Sequence, residues 1–338
     1  MLHYRTVPAR TLDAALASAW TALARQDAAL ESPFFRPEYA QAVAQERDGV
    51  EVCVISRGAE AVGFYPFERL AGGVGQPVGG SMSNFQGMVA APSTPWTVND
   101  LLRGARLTTL KFHHQVEGQG AFDAGVTRRV ESPIVDLSAG WEPFLDAQKR
   151  AHAGSFSALQ RKMRKLEREV GPLRFEAHSE SAEVLARLVD WKRGQHARTG
   201  SRGSLANDWG VAVIRHLIER RPGDFAGTLS ALYAGERLVA VHAGIRTATC
   251  WHYWFPTYDP DAGAYSPGLA LMFEMCRWGC AAGIRRIDLG PGEGPHKALF
   301  ATSSTTVGVG QVAAPLATGF IARVLHRLER MRQARPGS

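Results

Sequence analysis

The chain has 338 residues, of which 45% are hydrophobic and 21% are charged, with a formal net charge of +7. This composition is typical of a soluble globular protein, and the length predicts two domains or one double-sized domain, with a core that needs no disulfides. Four cysteines without paired spacing predict a reducing compartment. We expect no signal peptide and no transmembrane helix, since no run of about 18 apolar residues occurs. The expected location is therefore cytoplasmic.

Residues 1–140 predict an α/β unit. Leucines at helical spacing indicate a helix over residues 10–30, and a shorter helix follows Pro37. The remaining elements are, in chain order, strands at 50–56 and 62–68, a Gly-rich loop at 72–92, a weaker helix at 97–110, and strands at 109–113 and 133–137.

Residues 141–172 predict a basic helical connection. From Trp141 to Glu169 the pattern is helical, with a break expected near Gly154, and an apolar stripe runs between basic residues. The stripe consists of Leu159, Met163, Leu166 and Val170. Residues 173–315 then predict a second α/β unit, and residues 316–338 predict a second basic amphipathic helix.

The positive charge is concentrated in the second half. Residues 1–150 carry 14 Lys+Arg against 16 Asp+Glu, whereas the remainder carries 25 against 16. Much of this excess lies in the two basic helices. Such a concentration favours an anionic partner, and two solvated helix faces are the alternative.

The most informative stretch runs from Tyr253 to Lys297. It predicts a strand, a Ser-Pro-Gly turn at residues 266–268, a helix, the strand Arg286–Leu289 and the Gly-rich loop 290–294. A turn that opens a helix leaves backbone N–H groups free for a phosphate. A loop that follows a strand is where α/β proteins usually place chemistry.

This order of motifs resembles the GNAT-fold acyltransferases of the CelD/BcsL-like and FemAB-like group. The resemblance implies an α/β fold of tandem GNAT-like units, each a mixed twisted sheet flanked by helices. A hairpin match supports a duplication: residues 53–63 and 230–240 both contain a strand, a glycine turn and a strand. The resemblance extends over most of the chain, but its sharp motifs lie in the second half.

The resemblance implies acyl-CoA as co-substrate and Ser266, Pro267, Gly268 and Leu269 as the donor site. The proline removes one N–H donor, so a plain helix start with a Ser cap is the alternative. No metal site is expected, because zinc-ligand spacing is absent.

Acyl transfer to an amine needs a base, an acid for the leaving thiolate and binding groups for the acceptor. The expected catalytic residues are His242, Glu293 and Tyr253. The expected substrate-binding residues are Trp191, Lys192, Tyr258, Asp288 and Lys297. A buried histidine, a packed tryptophan and an Asp–Lys ion pair are the structural alternatives for these positions.

The predicted function is N-acyl transfer from acyl-CoA to an amine in envelope or surface polysaccharide biosynthesis. The acceptor is expected to be an amine-bearing sugar or lipid, with an anionic inner-membrane surface as a further partner. The alternatives are a sphingoid-base N-acyltransferase of ceramide-synthase type and a non-catalytic GNAT-fold regulator. A nucleic-acid partner is not expected, because the long helical arm typical of tRNA-dependent Fem proteins is not evident.

Overall fold

The computed structural model describes residues 1–200, 203–220, 223–292 and 294–315. Its strands are β1 Leu2–Pro8, β2 Val50–Arg57, β3 Glu60–Leu70, β4 Val74–Gln76, β5 Val89–Ala90, β6 Thr109–Val116, β7 Val126–Asp136, β8 Leu173–Glu176, β9 Phe225–Ala234, β10 Arg237–Thr247, β11 Cys250–Tyr258, β12 Arg286–Asp288 and β13 Ser303–Ala313. Its helices are α1 Ala14–Ala24, α2 Pro37–Glu46, α3 Val98–Gly104, α4 Trp141–Ala151, α5 Ala153–Glu169, α6 Ala182–Thr199, α7 Asp208–Ile218, α8 Pro267–Ala281 and α9 Pro295–Phe300.

The strands form one mixed sheet with the order β1-β2-β3-β4-β6-β13-β7-β12-β11-β10-β9-β8, and β5 pairs with β3. Its two ends repeat one pattern. From β1 to β6, three antiparallel pairings lead to the parallel pair β4–β6, and from β8 to β12, three antiparallel pairings lead to the parallel pair β11–β12. The two hairpins matched in the sequence, β2–β3 and β9–β10, occupy equivalent places in this repeat. The predicted tandem α/β architecture is confirmed.

The two halves share the middle of the sheet. β13 lies between β6 and β7, and β7 pairs with β12. Sequence patterns indicated neither β1 nor β13. In β13, Ser, Thr and Gly make up most of the strand, and only Val307 and Val309 alternate. The division into units at residues 140, 172 and 315 stays a prediction, and a strand from the second half completes the sheet of the first.

The predicted basic connection consists of two helices. α4 ends at Ala151, and α5 starts at Ala153. His152 (φ −133°, ψ 40°) separates the two helices, two residues before the predicted break. α5 buries Leu159, Met163 and Leu166 against the second half, while Arg161, Arg164, Lys165 and Arg168 are exposed. The predicted helix at 316–338 lies outside the described residues.

The hydrophobic core of the second half positions the site. α4, α5, α8 and α9 pack on β10, β11 and β12 through buried side chains that include Trp251, Met275 and Phe300. Aromatic contacts connect these elements, since the tilted rings of Phe156 (α5) and Phe300 (α9) have centroids 5.6 Å apart, and Trp251 meets Trp278 edge to face. Among the helices described, none is long and apolar enough to cross a membrane.

Candidate active site

A cleft opens where two parallel strands separate. β12 pairs with β11 only from Cys250–Arg286 to His252–Asp288, whereas β11 continues to Tyr258. The chain leaves β12 through Gly290 (φ 75°) and Pro291, which carries no N–H to extend the ladder. The resulting gap at the carboxyl ends of the strands forms a cleft of about 880 Å³. It is bounded by α5, α6, β11, α8, α9 and the loop after β12.

A β-bulge shapes the wall that β11 contributes. Tyr253 and Trp254 together oppose Gly244 of β10, and Tyr253 lines the cleft. The bulge leaves the Trp254 N–H to donate to His242 Nε2 at 3.1 Å, while the His242 ring stacks on Tyr253 at 4.9 Å. Gly244 is required here, since a Cβ would lie 2.4 Å from His242 Cε1.

His242 therefore does not occupy the place predicted for a base. It is fully buried beneath Tyr253 and does not line the cleft. Burial lowers its pKa to about 3, so the imidazole is neutral, and its Nε2 lone pair is already used by the Trp254 N–H. The buried-histidine alternative describes this residue better.

The predicted donor turn faces the cleft and has a cationic neighbour. α8 begins at Pro267 after Ser266, whose φ of 55° is left-handed, and Ser266, Gly268 and Leu269 line the cleft. Lys162 of α5 also lines the cleft and donates from Nζ to Ser266 Oγ at 2.9 Å. Pro267 is buried at the helix start. The α8 N-terminus and an ammonium group thus meet at one point, which favours an anionic ligand.

Lys192 and Asn84 lie on other parts of the cleft wall. Lys192 of α6 donates from Nζ to Gln195 Oε1 at 3.1 Å, and burial lowers its pKa to about 8. Asn84 comes from the first half of the chain, and its Nδ2 lies 2.8 Å from His252 Nε2. Burial holds the pKa of His252 well below its usual range, so this neutral ring accepts the amide proton. Tyr258 is 46% exposed at the cleft.

Lys297 lines the cleft, but its ammonium group donates to the loop that follows β12. Its Nζ donates to the carbonyls of Gly290 (2.8 Å), Pro291 (3.0 Å) and Gly292 (3.1 Å). Burial lowers its pKa to about 8, yet the three acceptors hold all of the ammonium protons. The Asp288–Lys297 ion pair, which was the structural alternative for these residues, does not form, because Asp288 pairs with Arg286. Lys297 instead closes the Gly-rich loop in a fixed shape.

Two predicted substrate-binding residues lie outside the cleft. Asp288 is fully buried, accepts from Arg286 Nε at 2.5 Å and from Cys250 Sγ at 3.3 Å, and has a pKa raised by burial against the opposing effect of Arg286. Trp191 lines a separate cavity of about 630 Å³ beside Arg187 and Tyr233. Neither residue lines this cleft, and their contact with a substrate stays a prediction. Glu293 lies outside the residues that the structure describes.

The electrostatic character of the cleft is positive. Among the described residues that line it, three are lysines (Lys162, Lys192 and Lys297) and none is Asp or Glu. No group of His, Cys, Asp or Glu in the described part of the chain is arranged to hold a metal. Neither Lys162 nor Asn84 was among the site residues predicted from the sequence. The sequence did contain an indication for Lys162, because this residue lies on the predicted basic helix, one turn from the apolar stripe.

Comparisons with known proteins agree with this architecture. Residues 155–298 match the acetyltransferase (GNAT) domain family. Similar solved structures include FemX, with 11% sequence identity, a TM-score of 0.60 and a match that covers 90% of this chain and 98% of FemX. Another is the C-terminal domain of a putative lysylphosphatidylglycerol synthetase from Agrobacterium fabrum, with 15% identity, a TM-score of 0.56 and coverage of 92% of this chain and 95% of that domain. A tandem GNAT protein from the clavulanic acid biosynthesis pathway is also similar, with 12% identity, a TM-score of 0.52 and coverage of 93% of this chain and 98% of that protein.

Among curated proteins, no sequence matches. The identities to the solved structures are low, so these likenesses concern the fold. The repeated strand order, the separated strands and the domain match at 155–298 lead to one conclusion: the chain has a tandem GNAT fold, and all of its cleft except Asn84 and Leu299 lies within the matched domain.

Proposed function

We propose that this protein is an N-acyltransferase that moves an acyl group from acyl-CoA to an amine. One observation carries the proposal: the start of α8 and the Lys162 ammonium meet at Ser266 beside the gap between β11 and β12. Phosphates suit this corner, because backbone N–H groups and a cation both favour negative charge. Gly268 supports close approach of the ligand, since among the described residues only Tyr258 lies near the place of a Cβ.

The gap itself suits the extended arm of CoA. Beyond His252, β11 has no β12 residue on that side, although β10 still pairs with its other edge. A chain that carries amide groups can add to such an edge as an extra strand. The thioester would then lie near Tyr253, between the strand ends, while the phosphates stay at the α8 N-terminus.

The side chains support a direct transfer. The Lys192 amine accepts a proton from the acceptor ammonium, and the neutral acceptor nitrogen attacks the thioester carbonyl carbon. The C–S bond breaks as the new C–N bond is completed, and Tyr253 gives its hydroxyl proton to the CoA sulfur. The resulting Tyr253 phenolate takes the remaining extra proton from the acylated nitrogen, which leaves a neutral amide and restores the hydroxyl. Burial raises the pKa of Tyr253, so the hydroxyl keeps its proton at neutral pH until the thiolate leaves.

Binding and turnover test this proposal. We expect calorimetric titration of the whole protein with CoA to show saturable binding, and acyl-CoA with an amine acceptor to yield N-acyl product and free CoA in equal amounts by mass spectrometry. The amine panel includes aminosugars and sphingoid bases, which separates the polysaccharide and lipid acceptor classes. Absence of CoA binding at millimolar concentration would overturn the proposal.

The acceptor is proposed to be an envelope amine presented at an anionic membrane surface. Support comes from the exposed basic residues of α5, Arg161, Arg164, Lys165 and Arg168, because this helix also contributes Lys162 to the cleft. A polysaccharide precursor or lipid on that surface would meet the cleft directly.

We expect the protein to sediment with vesicles that contain anionic lipid and to remain in solution with purely zwitterionic vesicles. Replacing Arg164 and Arg168 by Met should weaken binding about fivefold per charge removed, and added salt should weaken it further. Equal sedimentation with both vesicle types, or no effect of the two substitutions, would remove the membrane from the proposal.

A further inference from the structure

The inner wall of the cleft is apolar. Four side chains line it although each is nearly buried: Leu159 (2% exposed), Met272 (3%), Leu289 (2%) and Leu299 (8%). They come from α5, α8, the end of β12 and α9, and all four belong to the hydrophobic core of the second half. Half-buried Ala158 and Leu269 extend this surface. We call these six residues the apolar wall.

The apolar wall adjoins the phosphate corner, the place where Lys162, Ser266 and the start of α8 meet. Leu159 lies one turn before Lys162 on α5, and Leu269 and Met272 follow Gly268 on α8. The same two helices therefore carry both the cationic corner and the apolar surface. Phe156 and Phe300, with ring centroids 5.6 Å apart, back the wall from the core side. A ligand held at Ser266 thus has an apolar surface within reach along α5 and α8.

We propose that the apolar wall binds the hydrocarbon tail of the transferred acyl group, so that the donor is a medium- or long-chain acyl-CoA. This rests on the proposed acyltransferase function. An acetyl group would leave the wall in contact with water, whereas a longer acyl chain would remove both the wall and its own hydrocarbon surface from water. Met272 suits a flexible chain, because its thioether side chain adapts its shape to its neighbours.

The position of the wall favours the donor over a lipid acceptor. Its residues share α5 and α8 with the Lys162–Ser266 contact, whereas the proposed base, Lys192, lies on α6. The acyl tail begins at the thioester, which is proposed to lie near Tyr253, and Leu289 of the apolar wall directly follows β12 at the same gap between the strands. The acceptor would approach past α6 and Tyr258.

A ladder of acyl-CoAs from two to sixteen carbons tests this proposal by calorimetric binding. We expect affinity to rise about fourfold per added methylene over the part of the chain that the wall covers, and then to level off or fall. CoA without an acyl group separates the two proposals: if CoA binds but affinity is independent of chain length, only the apolar wall proposal fails. If affinity follows the chain length of a sphingoid-type amine instead, the wall belongs to the acceptor and the donor proposal is overturned.

A matched pair of substitutions on α5 tests whether the acyl chain lies against the apolar wall. Ala158→Phe fills the cleft beside the wall and should move the preferred acyl chain to shorter lengths. Ser157→Phe introduces the same ring at the adjacent exposed position, outside the cleft lining, and should leave the preference unchanged. Thermal unfolding of both variants checks that they fold. An identical chain-length profile in a folded Ala158→Phe variant and the native protein would contradict the proposal.

Discussion

Replacing Lys192 with Met is expected to lower kcat by about 10²–10⁴-fold, the range typical of the loss of a general base. The residue is suited to that role because burial lowers its pKa to about 8, and its Nζ donates to Gln195 while a neutral amine keeps one lone pair. Methionine keeps the length and the apolar stem but cannot accept a proton. Initial rates at saturating acyl-CoA and amine measure the loss, and Lys149→Met, on the exposed surface of α4, is the control.

The pH dependence of the native protein gives an independent test of Lys192. Its neutral fraction grows as pH rises towards about 8, so kcat should increase about tenfold per pH unit below that value and level off above it. Among the described residues, the charge of Lys192 acts on His196 and His242, and burial lowers the pKa of each imidazole below its usual range. Both rings are therefore neutral near pH 8 and add no charge beside the Lys192 amine. Lys192→Arg keeps the positive charge without a usable lone pair, and a fully active, pH-independent Arg variant would show that charge alone is needed.

Replacing Lys162 with Met is expected to weaken CoA binding by about 10–100-fold, because a charge-assisted hydrogen bond to phosphate contributes about 1.5–3 kcal/mol. The affinity for pantetheine, which has no pyrophosphate, should change little. The comparison isolates the phosphate corner from the rest of the cleft. Calorimetric titration of both ligands into the native protein and the variant provides the measurement.

The Lys149→Met variant again serves as the control for Lys162, since it also removes one lysine charge but lies outside the cleft. If Lys162→Met weakens CoA and pantetheine by the same factor, the lysine does not contact phosphate. If it weakens neither, the donor lies elsewhere in the cleft.

Local sequence patterns predicted much of the fold. The hairpins at Gly58 and Gly235, the apolar stripe of α5 and the Ser-Pro-Gly start of α8 are all encoded within short stretches, so their elements were predictable. β13 was not, because its place between β6 and β7 comes from tertiary pairing and not from its own alternation.

The site was predictable only where neighbours in sequence are neighbours in space. Ser266, Gly268, Tyr253 and Tyr258 meet in one cleft because the strand, turn and helix that carry them are consecutive. Lys162 reaches Ser266 across 104 positions. The sequence could not place His242, because small residues around a histidine indicate space for a ligand, whereas in the structure the His242 ring itself fills the space above Gly244.

The place of β13 also bears on how the molecule is made. During synthesis β6 emerges before the partner of one of its edges and β7 before the partners of both, because β12 (Arg286–Asp288) and β13 (Ser303–Ala313) lie far later in the chain. Until then these exposed strand edges are open to wrong partners. The nascent chain therefore depends on its late segment for protection, and the two halves reach their final form together.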